Sequence, residues 1–463
     1  MVNRYCLLLL AAVVLAGCTV GPNYRRPVVP VPPAFRDSTN STVTGSQAES
    51  FADLPWWQVF HDPVLQELIR TALKNNYDLL AATERINQAR SQLGITRSNQ
   101  LPQVQGSAGF SGGRGSSQQT SNILTLAADA SYQLDLFGGL RRSTEAARAQ
   151  LSGTEDARRV VVLTLVSDVA SSYFQLLGLD LQHQIALDTI QTQTESVRLT
   201  QLRSDRGVAT QADVLQAQQV LDTANAQIPD LERRIGQTED AISILLGNYP
   251  QGVHRVQKLT EQQGPPEVPA GLTSALLERR PDIHEAEEAL IAANAEIGVA
   301  KAAFFPQISL TGSGGGAIGH VSLSGIGTSA NTGLWSYGGG LVQPVFTGGR
   351  LISNLNLAKS QERGALLFYK QTIQRAFGDV SDALIAYQKI REQRSRQEQS
   401  VKTLQDAVRL SDLRYRGGIT TFLEVLDNQR SLFSAQLTLA QIRTSEYLTV
   451  VTLYKALGGG WQQ

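Results

Sequence analysis

The five histidines of this 463-residue chain are the side chains best suited to binding a metal ion or moving a proton. They stand at positions 61, 183, 254, 284 and 320, and their intervals match no metal-ligand motif. A glycine-rich run at 312–316 lacks the Lys-Ser/Thr pair that completes a phosphate-binding loop. The only methionine is Met1, so the rest of the chain offers no thioether ligand for copper. We therefore predict that the chain is not an enzyme, with no catalytic, cofactor-binding or metal site.

Cys18 is the residue whose surroundings do predict chemistry. It follows Arg4 and an apolar run at 7–16, a pattern typical of a secretory signal peptide, and the run is too short to span a bilayer as a helix. Leu15-Ala16-Gly17-Cys18 resembles the bacterial lipoprotein box, in which the cysteine is acylated and becomes the mature N-terminus. We expect residues 1–17 to be removed and Cys18 to carry lipid. The alternative is an ordinary signal peptide with an incidental cysteine.

Charge and hydropathy restrict the remaining chain. Net charge is zero, which disfavours electrostatic capture of nucleic acid. No stretch after the signal peptide has about 18 consecutive apolar residues, so we expect no transmembrane helix. The chain then crosses a bilayer only as a closed barrel, because lipid offers no hydrogen-bond partner to an open strand edge.

The sequence contains an internal duplication. Asp78 and Pro102 of the first copy correspond to Asp282 and Pro306 of the second, with the same interval between them. We predict an acylated N-terminal leash at 18–61, a first repeat at 62–246 and a second repeat at 272–463. The linker between the repeats, at 247–271, is predicted to lie near the middle of the helical bundle, in its equatorial region.

Each repeat has the same predicted order of helices. The segments 141–203 and 350–414 contain no proline and predict helices about 95 Å long at 1.5 Å per residue. An apolar stripe at helical spacing marks the buried face of the first: Val162, Val166, Val169, Tyr173, Leu176 and Leu177. Shorter helices are predicted at 63–99, 210–246, 270–301 and 421–457, which indicates antiparallel coiled coils.

Short strands are predicted before each long helix, at about 103–112, 123–137, 306–315 and 334–346. Apolar and polar residues alternate strictly from Leu124 to Leu136, as a strand between lipid and water requires. A soluble, half-buried strand is the alternative. Trp335 and Tyr337 suit an interfacial aromatic girdle or ordinary packing. Four strands cannot enclose a pore, whereas three chains supply twelve, an even number within the known range of barrels. We therefore predict a mainly α fold with a transmembrane β part, a trimeric β-barrel continued by a long α-helical barrel.

The turns at 204–209 and 415–420 are equivalent in the duplication. On the helix entering the second turn, one stripe, with Val401, Leu404, Val408, Ser411 and Tyr415, suits a bundle core. A second stripe is polar, and unlike charges in a trimeric ring would close the channel there; solvated surface charges are the alternative. The predicted gate residues are Asp412, Arg416 and Arg409 with Asp205 and Arg198 of the first repeat, and Gln405 and Gln201 accompany them.

Motifs along nearly the whole chain resemble the outer-membrane efflux proteins of the TolC superfamily, in particular the NodT-like lipoprotein branch serving RND-type pumps. They are Cys18-Thr-Val-Gly-Pro-Asn-Tyr, Trp56-Trp57 with Phe60-His-Asp-Pro63, Tyr132-Gln-Leu-Asp-Leu-Phe-Gly138, Glu278-Arg-Arg-Pro-Asp-Ile283, Pro344-Val-Phe-Thr-Gly-Gly-Arg350 and the run from Gly418 to Arg430. The resemblance implies a homotrimer in outer-membrane lipid, extending into the periplasm, that docks to a periplasmic adaptor protein and an RND-type inner-membrane transporter. It implies adaptor contacts at Gly207 and Val208 and at Gly418, Ile419 and Thr420, with a looser match in the first repeat.

Two functions remain open on the sequence. One is a passive exit duct of an export pump, gated at its periplasmic turns. The other is a lipid-anchored periplasmic coiled-coil scaffold without a pore, which shares every helical feature. The exported substrate does not follow from the sequence, because the resemblance implies that the transporter selects it.

Overall fold

Long α-helices and one antiparallel sheet form the fold. The computed structural model describes residues 19–32, 55–59, 61–114, 120–262, 276–323 and 326–459. The predicted signal peptide, Cys18 and part of the predicted linker lie outside the described residues. The helices are α1 (Trp56–Val59), α2 (Pro63–Asn75), α3 (Tyr77–Ser98), α4 (Gly139–Asp205), α5 (Gln211–Leu245), α6 (Leu276–Arg279), α7 (Pro281–Ala302), α8 (Arg350–Arg416) and α9 (Phe422–Ala456).

The two repeats have helices of matching length. The helices α4 and α8 are each 67 residues long, about 100 Å at 1.5 Å per residue. The helices α5 and α9 are each 35 residues long. The long helices differ from the predicted segments by about two residues at most at each end, which is the usual uncertainty of a helix boundary.

The helix predicted at 63–99 is in fact two helices, because Asn76 interrupts it. The Asn76 side chain accepts a hydrogen bond from the Leu79 N–H at 3.0 Å and thereby caps α3. Asp62 caps α2 in the same way, with its carboxylate 2.7 Å from the Val64 nitrogen. Polar side chains at both positions satisfy helix N-termini that the chain places in buried surroundings.

Four strands form a single sheet in the order β1-β2-β3-β4, with every neighbouring pair antiparallel. β3 extends beyond its predicted end and β4 begins before its predicted start, because the Gly/Ser-rich residues between the two predicted strands continue the ladder, whereas β4 ends at Val342, before its predicted end. β2 ends at Leu134, before the predicted boundary, because the Asp135 carboxylate accepts hydrogen bonds from the first N–H groups of α4. The strands are β1 (Gln103–Arg114), β2 (Thr120–Leu134), β3 (Gln307–Leu323) and β4 (Ile326–Val342).

The chain divides into two compact units, and each takes segments from both repeats. The first unit, which contains the sheet, comprises the described residues of Met1–Val29, Glu84–Asp156 and Ile283–Thr372. The second unit comprises those of Pro30–Thr83, Ala157–Asp282 and Ile373–Gln463. Neither unit coincides with a repeat of the sequence.

The start of the predicted leash is bound to the first unit. The Val20 nitrogen donates to the Phe137 carbonyl at 3.1 Å. Glu287 accepts a hydrogen bond from the Tyr24 hydroxyl at 3.0 Å and forms an ion pair with Arg26 at 3.0 Å. Burial and the Glu287 charge raise the pKa of the Tyr24 hydroxyl. The residues just after Cys18 therefore form part of the folded structure, although they have no core of their own.

The second unit has a helical core built on the predicted stripe of α4. Every residue of that stripe is at most 2% exposed: Val162, Val166, Val169, Tyr173, Leu176 and Leu177. One window of α4 is apolar enough to cross a membrane by length and composition, but 61% of it is buried within the protein, as expected of a core helix. In the described part of the linker, Arg255 bridges Asp180 at 2.8 Å and Glu239, which ties the linker to α4 and α5.

Candidate functional site

The sheet has one apolar face. Directly paired residues of an antiparallel sheet share a face, so the register shows which side chains lie together. Leu124 pairs with Phe110 of β1 and with Ile318 of β3, and Leu134 pairs with Ile308. The large apolar and aromatic side chains of this face are Val104, Phe110, Leu124, Leu126, Tyr132, Leu134, Ile308, Leu310, Ile318, Trp335, Tyr337 and Leu341. This face has the composition that contact with lipid requires.

The opposite face is polar and built from small side chains. Asp129 pairs with Gln105 and Ser313, and the Ser313 hydroxyl lies 2.7 Å from the Ser336 hydroxyl. The polar residues of this face include Gln103, Gln105, Ser107, Ser111, Ser121, Thr125, Asp129, Ser131, Gln133, Gln307, Ser309, Thr311, Ser313, Thr332 and Ser336. Leu334 and Val342 also lie on this face. The alternation predicted for one strand therefore extends to its neighbours with exceptions: Ile123 also lies on this polar face, and Asn122, His320 and Asn331 lie on the apolar one.

Trp335 and Tyr337 occupy the apolar face of β4. Their rings stack at 5.9 Å with an angle of 8° between the planes, and they are 77% and 82% exposed in the single chain. Two amphipathic rings together on an apolar face are typical of a membrane interface.

The outer strands of the sheet are β1 and β4. Each has a paired neighbour on one side only among the described residues. The free edges of both strands carry unpaired backbone donors and acceptors, which a bilayer cannot satisfy.

The first turn joins α4 to α5. Gly207 adopts a φ of 76°, in the left-handed region that favours glycine, and the Val208 nitrogen donates to the Arg203 carbonyl at 2.8 Å. Thr210 and Asp213 then form a reciprocal capping box at the start of α5, with distances of 3.2 and 2.8 Å. Val208 points outward with 69% of its surface exposed.

The second turn repeats the backbone of the first between α8 and α9. Gly418 adopts a φ of 71°, and the Ile419 nitrogen donates to the Arg414 carbonyl at 2.9 Å. Ile419 is 72% exposed, like its counterpart Val208. The two predicted adaptor-contact segments therefore present one apolar side chain each on equivalent turns.

Side chains cap the two turns differently. The N-cap residue of α9, Thr421, makes no side-chain cap hydrogen bond. Its neighbour Thr420 donates instead to Glu424, which also pairs with Arg414 at 3.0 Å. The second turn is thus held by an ion pair between its two helices, and the first by a cap within one helix.

The predicted gate residues of the second repeat lie at the surface of α8. Arg416 forms an ion pair with Asp412 at 2.9 Å, one helical turn earlier. Arg409 pairs with Asp406 at 3.6 Å. In both pairs the arginine side chain is more exposed to solvent than the aspartate that it contacts.

In the first repeat the predicted gate residues are also paired within their own helix. Arg198 binds Glu195 with two hydrogen bonds of 2.8 and 2.6 Å, which lowers the pKa of the Glu195 carboxyl. Asp205 accepts a hydrogen bond from Gln201 at 2.7 Å. Among the described residues of the single chain, no ion pair joins Asp205 to Arg416.

The other predicted stripe of α8 faces the core. Val401 is 8% exposed and packs with Ala435 and Leu439 of α9, and Ser411 is 1% exposed. The Tyr415 ring lies 5.0 Å from the Phe422 ring. The polar stripe is thereby left at the surface.

In each repeat, one polar residue links two helices. The two residues are equivalent in the duplication, but no motif in the sequence indicates this role. Arg280 donates to the carbonyl of Ala456, the last residue of α9, at 3.2 Å, and forms an ion pair with Asp282 at 2.6 Å. In the first repeat Asn76 donates to Leu245, the last residue of α5, at 3.0 Å. Because asparagine and arginine are different residue types, the sequence does not reveal that they share this role. Their positions do agree, since each directly precedes an equivalent helix of the duplication.

Two segments of the chain, residues 68–248 and 272–459, match the family described as outer membrane efflux protein. The chain is 36% identical over 454 residues to the cation efflux system protein CusC of Escherichia coli O157:H7, with 98% of each chain covered. It is 38% identical over 470 residues to the toluene efflux pump outer membrane protein TtgC of Pseudomonas putida, covering 98% of this chain and 95% of TtgC.

The fold also matches solved channels. The open state of the Neisseria gonorrhoeae MtrE outer membrane channel has a TM-score of 0.83 and 32% identity, covering 96% of this chain and 99% of MtrE. These likenesses support the channel interpretation and not the scaffold without a pore. The two segments that match the family correspond to the two repeats of helices and strands. The chain therefore belongs to the outer membrane efflux protein family and is an efflux channel of the outer membrane.

Proposed function

We propose that three copies of the chain form a passive exit duct, with a twelve-stranded barrel in the outer membrane and a helical barrel in the periplasm. The carrying observation is the sheet, which has one apolar face, one polar face and two free edges. If β1 and β4 pair with the sheets of further copies, no strand edge is left unpaired, and the closed barrel has lipid on its apolar side and water on its polar side. Three copies give an even strand number within the range of known barrels.

Lipid at Cys18 adds a second attachment to the membrane. Acyl chains alone give reversible binding, and the barrel supplies the larger membrane contribution. The bound segment at 19–26 keeps the acylated end attached to the unit that contains the sheet. Mass spectrometry of the mature N-terminus tests this assignment, and an unmodified Cys18 contradicts it.

The gate of the duct lies at the two turns in this proposal. The helix before the second turn contributes Asp412, Arg416 and Arg409 to this gate, and the helix before the first turn contributes Asp205 and Arg198. The helix-internal pairs leave these groups near the surface, so a neighbouring copy can exchange partners with them at small free-energy cost. Opposite charges at Asp205 and Arg416 then attract across the subunit boundary.

The turns also dock the periplasmic adaptor. Val208 and Ile419 each expose an apolar side chain within a turn. The adjoining Gly207 and Gly418 adopt the positive φ of each turn, and the hydroxyl of Thr420 donates to Glu424. An RND-type transporter of the inner membrane completes the pump through the adaptor.

The substrate is set elsewhere in the pump. The two relatives above are named for export of cations and of toluene, although their identities to this chain, 36% and 38%, are nearly the same. Solutes so unlike in charge and polarity share no binding chemistry. We therefore assign the chain the role of conduit, without a catalytic step or a selective ligand site.

Single-channel recording in a planar bilayer tests the proposal. The purified wild-type chain should migrate as a detergent-resistant trimer and produce discrete conductance steps. Trimers that bind the bilayer without conducting would contradict the duct and favour a scaffold. A control without inserted protein excludes leakage through the lipid.

A further inference from the structure

A buried polar side chain interrupts the apolar core of the second unit near the turns. One apolar cluster includes Ala186 of α4 and Phe433 of α9. Another, nearer the turns, includes Leu426 of α9 and takes Val197 of α4 at its edge. Gln193 lies between Ala186 and Val197 along α4, and it is 2% exposed. A buried amide therefore separates two apolar clusters.

Gln193 donates to the facing helix. Its Nε2 lies 3.1 Å from the Oε1 of Gln429 on α9. Its own Oε1 is buried and accepts no hydrogen bond from any described residue. Gln429 lies three residues after Leu426 and four before Phe433, so it too occupies a core position of its helix.

A cleft of about 210 Å³ adjoins this amide pair. Its wall includes Gln193 and Thr192 of α4, Val408 of α8, and Gln429 and Gln436 of α9. Polar side chains on several walls suit the cleft to water, which needs two to four polar partners. The cleft thus interrupts close packing where three helices meet.

The second repeat has no amide at the equivalent position of its long helix. The counterpart of Gln193 on α8 is Leu404, which packs against the cluster of Val401, Ala435 and Leu439. A leucine therefore fits this position of a long helix in the same protein. An amide in its place weakens packing, because a half-satisfied polar pair stabilises a core less than apolar contact does.

We propose that the Gln193–Gln429 pair and its cleft form the joint at which the turn-side ends of α4 and α8 bend away from the remaining core when the channel opens. This inference rests on the proposed function, because it assigns the moving part of the proposed gate. Segments that move are drawn from the least stable parts of a structure. The stripe from Val162 to Leu177 is buried and almost wholly apolar, and the next buried amide, Gln182, has hydrogen-bond partners for both its nitrogen and its oxygen, so the unsatisfied amide lies in the stretch nearer the turns.

Hydrogen exchange measured by mass spectrometry on full-length wild-type and variant trimers tests the joint. Gln193→Leu reproduces the side chain found at Leu404, and it should slow exchange of residues 194–205 and 409–416 about ten-fold, because it stabilises the layer. Gln218→Leu is the matched control. Gln218 is the counterpart of Gln429, is half-buried and bonds to Asp222 of its own helix at 2.8 Å, so its replacement should leave exchange in these segments unchanged.

A second variant guards against misassembly. Gln193→Met keeps the length of the side chain and removes its amide, and it should slow exchange in the same segments. Folded trimers of either variant at position 193 that exchange as fast as wild type, or faster, would overturn the joint. Equal slowing by Gln218→Leu would overturn it as well. Conductance of the wild-type trimer, recorded separately, decides the proposed function, so the two failures are distinguishable.

Discussion

The sheet and the two turns distribute charge in opposite ways. Arg114 and Asp129 are the only Asp, Glu, Lys or Arg residues within the four strands as bounded above, whereas charged residues follow one another closely on both sides of each turn. The sheet sorts its residues by face, and the turns leave theirs paired at the surface. The difference indicates two solvents, because charge is costly in lipid and nearly free in water.

The largest expected effect comes from placing a charge on the apolar face of the sheet. Leu126→Arg, at the middle of β2, should cost about 2–4 kcal/mol of insertion free energy near the bilayer midplane, and Leu134→Arg, at the last residue of the strand, should cost less. Ser131→Arg and Gln133→Arg, on the polar face of the same strand, should insert normally and alter conductance. Folding titrations into lipid vesicles measure the difference. Equal losses at both pairs of positions would mean that the two faces do not meet different solvents.

An acidic side chain at the second turn should act on docking rather than on insertion. Ile419→Asp removes an exposed apolar contact and should cost about 2 kcal/mol or more of adaptor binding, as truncated central contacts do. Export should stop while resting conductance stays at the wild-type level. Co-purification with the adaptor and drug susceptibility of cells measure the two effects, with Ile419→Val as the control. Undiminished export by the acidic variant would exclude this contact.

The caps of the two turns allow a matched test of smaller size. Thr210→Ala removes a capping box and should cost about 1 kcal/mol of stability. Thr421→Ala occupies the equivalent position, where no side-chain cap exists, and should change little. Thermal unfolding followed by circular dichroism compares the variants. A larger loss from Thr421→Ala would reverse the comparison of the turns.

Removing a surface charge beside the second turn should have the smallest effect on stability, but a measurable effect on conductance. Asp412→Ala and Arg416→Ala break one exposed pair at i and i+4, worth about 0.3–0.5 kcal/mol. Each should nevertheless raise resting conductance and admit bulky antibiotics, because each removes a charge from the ring proposed at the turns. Arg430→Ala, which breaks the exposed pair with Asp427, is the control outside the stripe. Unchanged conductance in both gate variants would place the gate elsewhere.

The parts of the fold that follow simple periodicity are predictable from the sequence. Proline-free segments with an apolar stripe identify the long helices, and strict alternation identifies β2. The lengths of β3 and β4 are not predictable in this way, since glycine and serine favour loops locally and only pairing between strands holds them in the sheet.

Tertiary contacts explain the remaining differences. The periodicity of the sequence continues through Asn76, but the helix breaks there. The Asn76 side chain caps α3 and also donates to the last residue of α5. Gln193 stands at a core position but is of a residue type usual at the surface, so a search for apolar stripes passes over it. The gate and adaptor residues lie on turns and exposed stripes, where sequence shows charge and exposure but not the neighbouring copy that would meet them.

Cysteine substitution at two adjacent positions of β2 tests the central claim most directly. Ser131 and Ala130 lie on opposite faces of the sheet, and Cys18 is the only cysteine of the predicted mature chain. A charged, water-soluble thiol reagent should lower the conductance of Ser131→Cys trimers in three steps, one for each chain. The same reagent should leave Ala130→Cys trimers unchanged. Block of the Ala130→Cys channel, or an unaffected Ser131→Cys channel, would contradict a lumen lined by the polar face of three sheets.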